Sequence, residues 1–416
     1  WGTISMWRSI VRGITVAAAA SAAASAALWS APAKPDFSRH VAPILNNRCV
    51  ECHRAGEAAP MAFTTYKETR PWAKAIKAAV LSKKMPPWLA DPAHGRFSND
   101  RRLSGDEIET IVAWADNGAP EGNPKELPPP PHFEPGWAIG KPDVVFDLGQ
   151  EFEVPATGEV PYKYFTVETN FQEDTWIEAA ECRPDKRGVV HHMIVFLQDP
   201  KENLSGTGGN LLVGWAPGDP PLQLSAGTAR LVRAGTRLRF QMHYTPNGTA
   251  VKDKSYVGLK FAKNPPQYRS LTGRALNIGL KIPPHAEAHE VKASYVVRDE
   301  IRLTSLMPHM HVRGKDFQYT VVYPDGRREI LLNVPRYDFG WQLSYQFADP
   351  LTLPKGARIE CVAHYDNSAN NKYNPDPTKE VRWGDQTWEE MMIGWFNYTV
   401  EWKPEPAQTS GSSGLE

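Results

Sequence analysis

The chain has 416 residues, a length at which one hydrophobic core seldom suffices, so two or three domains are expected. Lys plus Arg (47) equals Asp plus Glu (47), which leaves no net field to draw the molecule to nucleic acid or to anionic lipid. The 14 Trp, 14 Tyr and 15 Phe supply material for packed cores, while 37 Pro and 31 Gly call for many turns and few long helices, so the bulk is expected to be β-rich.

Residues 1–34 read as a secretory signal peptide. Arg8 and Arg12 precede an Ala-rich apolar run from Ile14 to Leu28, and the small residues Ser30, Ala31 and Ala33 follow. The run is short for a membrane span, so the expected location is periplasmic or secreted, with membrane contact only if the signal stays uncleaved. The Ser/Gly-rich tail, 404–416, reads as solvated linker.

Residues 35–122 contain Cys49-Val50-Glu51-Cys52-His53. In C-x-x-C-H two thiols add to the two vinyl groups of a haem, and the adjacent histidine reaches the iron from the same turn. A thioredoxin-like redox pair or half a zinc site would need a βαβ context or a second ligand pair, and neither is present. Phe37, Val41, Ile44 and Leu45 recur at helical spacing before the motif. Ser104-Gly105-Asp106-Glu107 is a capping box ahead of Ile108, Ile111 and Val112, with Gly118 as a stop.

A thioether is the expected sixth iron ligand, and Met61 and Met85 are the candidates. Met85 is preferred because Pro86 and Pro87 exclude helix and can hold its sulfur in a loop opposite His53, whereas Met61 reads as packing. The segment resembles a class I cytochrome c domain, and the expectation is a small all-α domain carrying one covalent haem c. A Pro-rich linker, 123–139, follows, with the stiff run Leu127-Pro128-Pro129-Pro130-Pro131.

From residue 140, runs of β-branched and aromatic residues alternate with turn residues, as in Lys163-Tyr164-Phe165-Thr166-Val167 and Tyr319-Thr320-Val321-Val322-Tyr323. Two all-β, antiparallel, jelly-roll-like sandwiches are expected, 140–268 and 269–403, joined near Pro265-Pro266. Only Cys182 and Cys361 remain as further cysteines, and their spacing does not tell whether they pair.

The histidines of this region gather at His191-His192, His243, and His309 with His311. His309 and His311, two apart on a strand, point to one face and can grip one metal; His191 and His192 would point oppositely unless a bulge intervenes. Any one of these read singly is a satisfied core or surface histidine; together they read as metal ligands. Cys361-Val362-Ala363-His364 lacks the nearby methionine that a blue-copper site would need.

Five segments resemble the copper-dependent, ascorbate-dependent monooxygenases, the family of peptidylglycine α-hydroxylating monooxygenase and dopamine β-monooxygenase. They are Val190-His191-His192-Met193, Gly214-Trp215-Ala216-Pro217-Gly218, Gln241-Met242-His243-Tyr244, Pro308-His309-Met310-His311 and Gly384-Asp385-Gln386-Thr387-Trp388-Glu389-Glu390-Met391. The resemblance implies that His191, His192 and His243 hold an electron-relay copper, and that His309, His311 and Met391 hold an oxygen-activating copper, with Met391 chosen over Met392 because it follows the acidic pair. His364 has no counterpart, and no residues match those that hold a peptide carboxylate or a catecholamine. The implied activity is hydroxylation of a small organic or peptide-like substrate with O2. Two coppers and the haem would be fed by an external donor, either an ascorbate-like reductant or a redox protein. The alternative is an electron-transfer or copper-handling protein with the same sites.

Overall fold

The computed structural model describes residues 34–57, 59–133, 136–199, 210–216 and 218–403. Save for Lys34, the expected signal segment and the expected tail lie outside the described residues, among which no helix is long and apolar enough to cross a membrane.

The first β half holds β1 (Val144–Asp147), β2 (Phe152–Val154), β3 (Lys163–Glu168), β4 (Thr175–Arg183), β5 (Val190–Gln198), β6 (Asn210–Trp215), β7 (Leu222–Gln223), β8 (Thr228–Val232), β9 (Arg237–Tyr244), β10 (Val251–Asp253) and β11 (Tyr256–Phe261). The second holds β12 (Tyr268–Leu276), β13 (Lys281–Ile282), β14 (His289–Val296), β15 (Ile301–His309), β16 (Gly314–Val322), β17 (Arg328–Val334), β18 (Tyr345–Leu353), β19 (Arg358–Tyr365), β20 (Val381–Arg382) and β21 (Ile393–Glu401).

Each half sets one four-stranded sheet against its share of a long sheet common to both. The four-stranded sheets run β3-β9-β5-β6 and β14-β19-β16-β17; the long sheet runs β1-β11-β4-β8-β12-β21-β15-β18, with β7 on β4. The two halves meet in that sheet at a short parallel pairing of β8 with β12, Thr228 opposite Tyr268 and Ala229 opposite Arg269. Period-two alternation explains both cores. Along β9, Leu238, Phe240, Met242 and Tyr244 turn inward; along β19, Ile359, Cys361, Ala363 and Tyr365 do the same. Cys182 and Cys361 are unpaired thiols buried in the two separate cores.

Among the described residues the expected all-α cytochrome c domain is not present: sheet predominates there, with 38% of those residues in strands and 12% in helices. The helices before residue 122 are short: α1 (Ala42–Arg48), α2 (Tyr66–Thr69), α3 (Ala73–Leu81) and α4 (Gly105–Asp116). Turns fill much of the space between them, and residues 88–99 leave the helices altogether. Trp88 and Ala90 are buried in the core of the second β half, and Phe97 bridges to Phe347. Ser98 donates its backbone N–H to the Gln346 carbonyl at 2.8 Å, and Asn99 donates to the Ser344 carbonyl at 2.8 Å. The reason is apolar burial: Trp88 and Phe97 find Tyr345, at ring centroids 4.9 and 5.5 Å, and the chain must run along β18 to place them there.

Candidate metal centres around one cavity

The N-terminal motif closes the first helix. Cys49 caps α1, and the N–H groups of Cys52 and His53 both donate to the Cys49 carbonyl, at 3.1 and 2.9 Å. The His53 ring stacks on Phe63 (centroids 4.4 Å, 11°), and its Nδ1 lies 3.1 Å from the Met61 carbonyl, so Nδ1 donates there and Nε2 is left as the free lone pair. Both thiols are unpaired, and burial pushes the Cys49 thiol up to about 12 and raises that of Cys52. Met61 and Cys49 pack on an apolar cluster formed by Phe37, Leu45, Ile111 and Trp114, while Met85 is half-buried outside it.

Three imidazoles converge in the first β half. His192 on β5 lies opposite His243 on β9, and the register slips between Val190 and His192, so His191 is the extra residue of a β-bulge. The bulge lets two consecutive side chains share a face that strict alternation would divide between them. One nitrogen from each of the three rings lies within 4.8 Å of the others. His191 Nδ1, both nitrogens of His192, and His243 Nδ1 are buried without a hydrogen-bond partner. Burial lowers the pKa of all three rings, that of His243 to about 3, so they are neutral at ordinary pH and expose lone pairs. Buried, neutral, convergent and unsatisfied imidazoles fit a metal ion.

His309 and His311 lie at and just beyond the end of β15, their rings 5.3 Å apart and nearly perpendicular. Met310 between them faces the core, where Tyr337 Oη accepts its N–H at 3.1 Å. His309 Nδ1 is 2.5 Å from Gln342 Oε1, and His311 Nδ1 is 3.1 Å from the Glu389 carbonyl. Each bond fixes a ring and a tautomer, and His311 Nε2 remains buried and unpartnered. Burial lowers both rings' pKa, that of His311 to about 3. Glu390 ties this corner together: its carboxylate accepts the backbone N–H of His311 at 2.8 Å, of Arg313 at 2.7 Å and of Met391 at 3.3 Å.

Met391 and Met392 divide between two environments. Met391 lines a cavity of about 390 Å³ together with His192, His309 and His311, whereas Met392 is buried in the core of the second β half. The cavity lies between the halves. Tyr162 joins the two histidine groups, its ring 4.7 Å from His243, 5.3 Å from His192 and 6.5 Å from His311. Phe339 stacks on His191 at 5.7 Å and stands 5.9 Å from His311. Sequence reasoning did not single out Tyr162, Phe339 or Gln342, because no local pattern marks a residue whose role comes from a distant strand. Glu390 was visible only as part of the acidic pair before Met391. His364 stands apart: its Nδ1 is 2.6 Å from Asp316 on the outer face of β19.

The N-terminal segment docks beside this region. Glu57 pairs with both Arg54, at 2.9 Å, and Arg187, four residues before His191; the Arg187 guanidinium stands 6.0 Å from the Trp215 ring.

No protein-family model matches the chain, and no curated protein matches it. Among solved structures it is similar to the major capsid protein P2 from Bacteriophage PM2, at 10% identity over 62% of this chain and 98% of that one, with a TM-score of 0.28. It is also similar to an allantoicase, at 11% identity over 52% and 79%, with a TM-score of 0.18. Likenesses of that size carry no argument about function.

Proposed function

We propose that the protein is a haem- and copper-dependent monooxygenase that hydroxylates an organic substrate with O2. The observation that carries the reading is the shared cavity: His192 of the three-histidine cluster opens onto the same space as His309, His311 and Met391. Copper bound by His191, His192 and His243 and by His309, His311 and Met391, together with haem on Cys49, Cys52 and His53, would relay the two electrons per turnover drawn from an external reductant, an ascorbate-like molecule or a redox protein, and would activate the oxygen.

The chain's own contributions follow from its geometry. Burial keeps the histidines neutral and ready to donate lone pairs. Gln342 and the Glu389 carbonyl hold His309 and His311 by Nδ1, and Met391, which lines the same cavity, would bring a soft thioether to an otherwise imidazole site. Tyr162 and Phe339 stand between the two histidine groups, each with ring contacts to both. At the N-terminal motif, the Met61 carbonyl on Nδ1 sets the His53 tautomer for an iron ligand at Nε2. Met85, half-buried outside the apolar cluster around the motif, would be the second iron ligand.

Turnover under 18O-labelled dioxygen tests the reading: one labelled atom enters an organic product. A chain that binds copper and haem, yet consumes oxygen without labelling any product or consumes none at all, is an electron-transfer or copper-handling protein instead.

A further inference from the structure

The cavity beside Met391 has a chemical gradient written by strand alternation. β15 and β21 are antiparallel neighbours with His309 opposite Ile393, Met307 opposite Trp395 and Ser305 opposite Asn397. Every one of these six lines the cavity. Going away from the histidines, the wall is first apolar, with Ile393, Met307 and Trp395 joined by Phe196 and Leu211 from the other half, and then neutral polar, with Ser305, Asn397 and Thr272. Four residues of strand separate the His309 end from the Ser305 end, about 13 Å at about 3.3 Å per residue.

The far end is polar without being ionic. Asn397 Nδ2 donates to Ser305 Oγ at 2.9 Å, and Thr272 Oγ1 donates to Asn397 Oδ1 at 2.7 Å. Arg230 lies behind this pair, does not line the cavity, and directs its terminal nitrogens to neutral acceptors: the Leu211 and Leu212 carbonyls, Ser270, Thr272 and Asn397. Among the described residues no lysine or arginine lines the cavity; of its two acids, Asp385 lies at the histidine end, where it acts on His309, and burial raises the Asp219 pKa to about 7. A substrate carboxylate at the far end would find no cation on the cavity wall, because Arg230 behind it already donates to neutral acceptors.

We infer that the cavity takes a neutral, elongated, mainly apolar molecule with an uncharged hydrogen-bonding group at the end remote from His309, and that it rejects anions. This substrate class rests on the monooxygenase reading, with the molecule's apolar body lying against Met307, Ile393 and Trp395 next to the histidines.

Binding to the full chain stripped of copper tests it. The neutral fluorophore N-phenyl-1-naphthylamine is titrated in parallel with 8-anilinonaphthalene-1-sulfonate, the same ring frame bearing an anion, and each is displaced with 1-decanol and with decanoate. The expected result is saturable binding of the neutral probe, with decanol displacing it at least about tenfold more effectively than decanoate, about 1.4 kcal/mol. Met307→Lys should remove that binding and Met307→Leu should retain it, with thermal unfolding confirming that both variants fold. Equal or better displacement by decanoate, no saturable binding of the neutral probe, or binding indifferent to Met307→Lys in a folded variant overturns the inference. Copper stoichiometry measured separately keeps the two ideas apart. A chain that loads two coppers but prefers decanoate loses this inference only; one that prefers decanol but loads none loses the monooxygenase reading.

Discussion

Two adjacent methionines with opposite surroundings make the residue-scale case. Met391, itself buried, borders the cavity and Met392 fills the second core, so substitutions at the two positions should have different consequences. On the proposed function, Met391→Ile is expected to lower turnover by about 100-fold with little loss of stability, whereas Met392→Ala should cost about 2–5 kcal/mol of stability and leave copper loading intact. Activity assays and denaturant titration on the two variants check this pair. The histidines carry a second expectation. In the folded chain burial lowers the His243 pKa from 6.5 to about 3, so as pH falls below 6.5 the unfolded chain takes up a proton that the folded chain refuses. The metal-free protein should therefore lose stability as pH falls from 6.5 towards 3, and His243→Gln should flatten that slope. Denaturant midpoints at about pH 7.5 and about pH 5 measure it.

At the scale of elements, the stretch from Trp88 to Asn99 behaves as a strap rather than as part of a helical module. Its N-terminal neighbour α3 packs through Ile76 and Val80 on the cluster around Trp114, but Trp88 itself is buried against Tyr345 on β18. Trp88→Ala should therefore cost about 3–5 kcal/mol, and the loss should fall on the second β half. Hydrogen exchange reads this directly: amides of β18 should open faster while those of α4 stay protected. The bulge at His191 is the other decisive element. It turns two neighbours that a regular strand would divide into partners at one site, with β9 supplying the third ring.

Over the whole molecule, three groups of candidate ligands lie on different parts of the chain and are brought together by docking. Glu57, four residues after His53, pairs with Arg187, four residues before His191. Both side chains are about four-fifths buried, so the pair is less screened than a surface ion pair. On the proposed function, Glu57→Ala should slow electron transfer from reduced haem to oxidised copper severalfold while haem attachment and copper content stay unchanged. Anaerobic stopped-flow absorbance in the intact chain follows it, and an unchanged rate removes this contact from the route.

Local rules reached the elements whose causes are local. The apolar spacing from Phe37 to Leu45 lies in continuous helical turns, Ser104 and Glu107 form the capping box that starts α4, and Gly118 takes the positive φ that ends it. The alternation along β9 and β19 was equally readable, because a strand's period is a property of its own residues. Periodicity could not say that residues 88–99 would bury Trp88 and Phe97 on β18, and it therefore overstated an independent helical domain. Nor could it place Tyr162, Gln342 or Phe339 between the histidines, separate Cys182 from Cys361 into two cores, or send Met391 and Met392 to different surroundings. Those outcomes depend on which distant strands pair and where apolar surface is hidden from water, and that choice is made only when the whole chain packs.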